Sequence, residues 1–163
     1  MAFECTLTQN YAHADYFSDG RHATVFVRIG RDPEKLANYF LQVSLEPTGG
    51  DDMEYEFYII EVLSDPKDER SYWQGLDIKN LIDDTSWRQI IDLLLKISST
   101  LIHNEKPQSF FWCADAKDST KAFEKHEQVV HVFRSLGYRV ETADPYMGVR
   151  MWRAEWGENS GVE

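Results

Sequence analysis

The chain has 163 residues, 42% of them hydrophobic, with 9 Phe, 8 Tyr and 5 Trp, enough to bury one sizeable core in a single domain. Its formal charge of −11 repels phosphate polyanions and anionic lipid, which excludes nucleic acid and membrane surfaces as expected partners. Met1–Asn10 lacks a signal-peptide pattern, no run nears the roughly 18 apolar residues of a membrane span, and the two cysteines, Cys5 and Cys113, lie in no CxxC spacing, so a soluble cytoplasmic protein is expected.

Residues 1–22 have mixed polarity, with one short strand expected near Phe3 to Thr8 and a turn at Asp19 and Gly20. Residues 23–63 read as a three-stranded meander. Val25, Val27 and Ile29 alternate with Thr24, Phe26 and Arg28, and Tyr39, Leu41, Val43 and Leu45 alternate with Asn38, Gln42, Ser44 and Glu46. In the third strand, Met53, Tyr55, Phe57 and Ile59 oppose Glu54, Glu56, Tyr58, Ile60 and Val62, so its second face turns from acidic to apolar midway. Such a strand emerges from a covered part of a sheet into water or a cleft. Residues 64–83 read as a long loop with Pro66 and Gly75.

From 84 to 156 the pattern is helix, strand, helix and two strands. Asp83, Asp84, Thr85 and Ser86 offer helix caps before a stripe through Trp87, Ile90, Leu94, Ile97 and Leu101. Ser109 to Ala114 is apolar on both faces and predicts a central strand covered on each side, with Cys113 an inert core thiol. Ser119 or Thr120 opens a second helix that Gly137 ends, and Tyr138 to Ala143 and Val149 to Trp156 follow as strands. Residues 157–163 form a polar tail. The whole predicts an α/β (α+β) fold with a mixed, mostly antiparallel sheet of about six or seven strands and two main helices.

His126 to Val140 reads HEQVVHVFRSLGYRV and is followed by the closing strand GVRMWRAEW. This resembles the carboxyl half of the GNAT acetyltransferase superfamily, whose pattern there is an asparagine, an alanine three residues on, an aromatic pair and a leucine-glycine-aromatic ending. The resemblance spans Ala23 to Trp156 and implies a trimmed fold of that kind. It also implies acetyl-CoA at the entrance of the first long helix, which places Asp84, Thr85 and Ser86 at the cofactor. The superfamily's loop there is rich in glycine, whereas this one reads GLDIKNLIDDTS and sets Asp83 and Asp84 where a diphosphate would meet two carboxylates. The position similar to the superfamily's frequent catalytic tyrosine is Phe133, which has no proton to give. Glu54, Glu56 or Glu61 would then act as base and Tyr146 as acid. The superfamily's two acceptor-site helices exceed the chain available before Ala23.

Other chemistry finds little support. His126 and His131 are five apart and diverge around a helix, so no metal site is expected, and no GxSxG turn presents a nucleophile. The acids from Asp51 to Glu69 crowd one region, and Tyr72 and Trp73 border it. The resulting expectation is a protein without catalysis or cofactor that binds a basic protein partner, as an immunity protein, inhibitor or antitoxin does, through Asp51, Asp52, Glu54, Glu56, Tyr72 and Trp73. The alternative is an acetyl-CoA-dependent N-acetyltransferase with an unconventional cofactor loop. A small-ligand binder using the strands after Glu61 is a third.

Overall fold

The computed structural model describes residues 3–7, 14–63, 69–72, 80–115, 120–143 and 146–157. Within them a nine-stranded sheet carries two helices. The strands are β1 (Glu4–Cys5), β2 (Ala14–Ser18), β3 (Ala23–Asp32), β4 (Ala37–Pro47), β5 (Met53–Val62), β6 (Glu69–Tyr72), β7 (Ser109–Asp115), β8 (Tyr138–Thr142) and β9 (Val149–Trp156). The helices are α1 (Asp84–Glu105) and α2 (Thr120–Ser135). The sheet order is β1-β3-β4-β5-β7-β9-β8, with β2 also on β3 and β6 also on β5. Every named pairing is antiparallel except β5 with β7. This is the mixed, mostly antiparallel α+β architecture that the sequence predicts, with the last strand inserted between β7 and β8.

Alternation decides which residues lie beneath the helices. Val25, Val27 and Ile29 on β3, Tyr39, Leu41, Val43 and Leu45 on β4, and Tyr55 and Ile59 on β5 are buried on one face. The register pairs Val25 with Val43 and Leu45 with Tyr55, so these side chains share that face. Helix α1 lays Ile90, Leu93, Leu94, Ile97 and Leu101 on it and accepts the Tyr55 hydroxyl at Ser98, 2.5 Å away. Helix α2 adds Phe133, whose ring meets Tyr55, Phe110 and Trp112 edge-on with centroids 5.1, 4.9 and 5.3 Å away. Both helices therefore cover the same face, and they touch each other there.

Three local findings differ from the sequence expectation. The segment read as a loop from 64 to 83 contains β6, which pairs Glu69–Tyr72 with Val62–Ile59 and lacks the period that longer strands show. Strand β2 is exposed along all five residues, so no buried stripe announces it; the short strand expected at Phe3 to Thr8 is the two-residue β1. Strand β7 is covered on one side only: Phe110 and Trp112 are buried, whereas Cys113 is exposed and is no core thiol. Its apolar neighbours misled because apolar sequence signals burial without counting how many faces receive it.

Candidate functional site

The helix-free face collects the polar half of each long strand. On β4 it carries Gln42, Ser44 and Glu46; on β5, Glu54, Glu56 and Tyr58; on β7, Phe111 and Cys113; on β9, Met151 and Arg153. Cross-strand partners place Glu46 against Glu54, Ser44 against Glu56, Glu54 against Phe111 and Cys113 against Met151. Glu46 and Glu54 thus oppose each other directly, a like-charge pair that costs stability. Burial holds the Glu56 carboxyl above the usual carboxylate range, and the charges of Glu54 and Glu46 add to the effect.

Two arginines and a histidine near the carboxylates of this face are already engaged. Arg153 forks onto Asp52 at 2.9 and 3.2 Å and reaches Glu155 at 3.1 Å, while Arg139 meets Glu155 at 3.1 Å and Glu141 at 3.5 Å. His22 stands 3.4 Å from Glu46 and 2.7 Å from the Thr24 hydroxyl. Asp52 is also bonded by the Ser109 hydroxyl at 3.0 Å, and these contacts hold its carboxyl below the usual range. Among the described residues no cation pairs with Glu54 or Glu56.

The sequence-predicted site residues therefore divide. Glu54 and Glu56 share the open face, and Asp52 lies beside them as an internal clamp between the β4–β5 turn and β9. Asp51 is exposed in that turn. Glu61 lies on the helix side, 2% exposed, and accepts the Tyr39 hydroxyl at 2.6 Å, so it is separated from the other two. Tyr146 stands at the β8–β9 turn, 77% exposed. Tyr72 ends β6 opposite Ile59, and Trp73 lies outside the described residues. Glu46 and Ser44 escaped the sequence reading, although counting back through the Pro47 to Asp52 turn from Glu54 and Glu56 pairs them.

The entrance of α1 carries Asp84, Thr85 and Ser86, where the resemblance implies the cofactor. Asp83 is the N-cap: its carboxylate accepts the Ser86 amide at 2.8 Å and the Ser86 hydroxyl at 2.7 Å, while the Trp87 amide binds its carbonyl at 2.9 Å. These bonds hold the Asp83 carboxyl below its usual range. A diphosphate at this helix end would have to displace that carboxylate from the Ser86 amide and then meet Asp84. Strands β5 and β7 do part after pairing Met53 with Phe110 and Glu54 with Phe111, and β6 takes the outer edge of β5 from Ile59 to Val62. Phe57, His126, Trp112 and Trp152 fill the helix side of that divergence, with His126 stacked on Trp152 at 4.7 Å. Among the described residues, no group of three His, Cys, Asp or Glu side chains is placed to hold a metal ion, and no helix is long and apolar enough to cross a membrane.

Comparison with known proteins adds a distant likeness. Neither a protein-family model nor a curated protein matches the chain. Among solved structures, a spermidine N-acetyltransferase chimera from Vibrio cholerae and hSSAT aligns over 85% of this chain and 68% of its own, with 11% identity and a TM-score of 0.33.

Proposed function

We propose that this is a binding protein whose helix-free sheet face docks a basic protein. The observation that carries the reading is the pair Glu54 and Glu56, unmatched by any cation among the described residues and adjoined by Glu46. Folding alone would select against this arrangement, since side-by-side carboxylates repel and a lysine in one corner would relieve them. A basic partner supplies that relief on binding, and the overall charge of −11 speeds its approach.

The immobilised chain should retain basic proteins at about 50 mM salt and release them by about 0.3 M, as screened contacts do. Glu54→Lys with Glu56→Lys should abolish retention while circular dichroism stays unchanged. Undiminished retention by that folded variant would reject the face as the docking surface.

The divergence of β5 from β7 beside Glu54 and Glu56 favours a second reading, an acetyl-CoA-dependent N-acetyltransferase. Against it stand the carboxylate at the α1 entrance and the sealed aromatic surroundings of Phe133. Calorimetry with acetyl-CoA decides between them: heat of binding at cofactor concentrations up to about 1 mM would favour the transferase, and its absence would remove it.

A further inference from the structure

The docking face has a centre with recognisable chemistry. Ser44, Glu46, Glu54 and Glu56 stand at the corners of a rectangle, about 5 Å across the strands and about 7 Å along them. Ser44 is the short corner, set by register beside the longer glutamates. It is 0% exposed, and its Oγ has no hydrogen-bond partner. A buried hydroxyl left without a partner is costly and rare, and this one shares a face with three carboxylates. Among the described residues no such group is placed to hold a metal ion. The three carboxylates suit an organic cation that reaches several corners by hydrogen bonds.

A band of different character adjoins the rectangle. Phe111 lies beside Glu54; Cys113 follows two residues along β7, facing Met151; Met147, Gly148 and Val149 line a shallow groove with Cys113 and Asp115. Met147 is 85% exposed, and Val149 and Met151 are exposed with it. Burial pushes the Cys113 thiol up, and the charge of Glu54 adds to it. Methionine-rich surfaces adapt to apolar side chains of varied shape.

We propose that the rectangle of Ser44, Glu46, Glu54 and Glu56 seats a lysine ammonium of a partner polypeptide, while an apolar side chain next to that lysine rests on Met147, Val149 and Met151. This rests on the docking reading above. An ammonium offers three rotatable donors from one compact point, which matches oxygens arriving from separate corners; a guanidinium is a planar fork that matches the two oxygens of one carboxylate. A free amine would leave the apolar band unused, whereas a peptide uses both zones.

The test is a titration of the full-length, 15N-labelled chain at low salt with four probes: the blocked peptide Leu-Lys-Leu-Lys-Leu, its Arg counterpart, its Gly-Lys-Gly-Lys-Gly counterpart, and butylamine. The Leu-Lys peptide should shift the amides of Ser44, Glu46, Glu54, Glu56, Cys113 and Met151 and bind at least about fivefold more tightly than each other probe. Glu54→Gln with Glu56→Gln should weaken it about tenfold and Ser44→Ala about threefold. Met151→Ser should erase the advantage of leucine over glycine. Equal binding of the arginine, glycine or butylamine probe, or shifts confined elsewhere, overturns this inference. If basic proteins are still retained through Glu54 and Glu56 in that event, the docking reading stands; if no probe binds and retention is also absent, both fall. A well-dispersed amide spectrum for each variant separates lost contact from lost fold.

Discussion

His126 shows how far a single environment shifts a side chain from its ordinary behaviour. It is 4% exposed, stacked on Trp152 and tilted against Phe57, and its Nδ1 has no partner. Burial, with Lys125 beside it, pushes its pKa down to about 3, so the folded protein keeps the ring neutral. As pH falls from about 6.5 toward 3, the unfolded chain takes up a proton that the native state refuses, and the stability present above that range is lost. Phenylalanine fills nearly the same space without titrating. The stability of the native chain relative to His126→Phe should therefore fall by about 1 kcal/mol per pH unit between pH 6 and pH 4, measured by urea unfolding. A flat difference would mean that the ring already carries its proton in the folded state. The helical spacing of the sequence places this histidine beside the apolar stripe, yet only the register of β5 and β9 reveals the aromatic rings that enclose it.

At the scale of elements, the long strands were legible because each buries one face, and alternation reports that directly. Strands β1, β2 and β6 were illegible in detail because backbone pairing holds a short edge strand without demanding a stripe. Strand β1 depends on an approach that only glycine permits. Phe3 lies over Gly30, where a Cβ would collide with the ring and stand 2.8 Å from the Glu4 carbonyl. Gly30 also follows the bulge at which β3 shifts its register on β4. Gly30→Ala should cost about 1 to 3 kcal/mol and speed hydrogen exchange at Cys5 and Thr6 selectively, whereas unchanged protection there would show that β1 tolerates the intrusion. Likewise α1 starts where the sequence offers Asp83 as a cap and α2 stops at Gly137, whose φ of 103° suits glycine and where a Cβ would stand 3.1 Å from the Trp156 ring. The candidate site was half legible: Glu54 and Glu56 stand out by their charge, while Ser44 and Glu46 join them only through the hairpin register.

Among the described residues the molecule has two layers, with both helices and the aromatic core on one side of the sheet and Glu46, Glu54 and Glu56 on the other. That division predicts an opposition between stability and recognition. The raised Glu56 carboxyl means that the folded state holds its proton longer than the unfolded chain does, so this residue lowers stability as pH climbs out of the ordinary carboxylate range. Glu56→Gln should melt at a higher temperature than the native chain at pH 7 and low salt, with the gain shrinking below about pH 4 and in about 0.5 M salt. Equal melting temperatures at pH 7 would show that solvent screens the cluster completely.

The alternation of Tyr55 and Phe57 with Glu54 and Glu56 also acts during assembly of the chain. Were β5 to slide by one position along β4, the two glutamates would be driven beneath α1 and α2 and the two aromatic rings would turn to water. The same carboxylates that give the outer surface its charge thus proofread the alignment of the central hairpin, and a sequence that neutralised them all would gain melting temperature while losing its guard against misthreading.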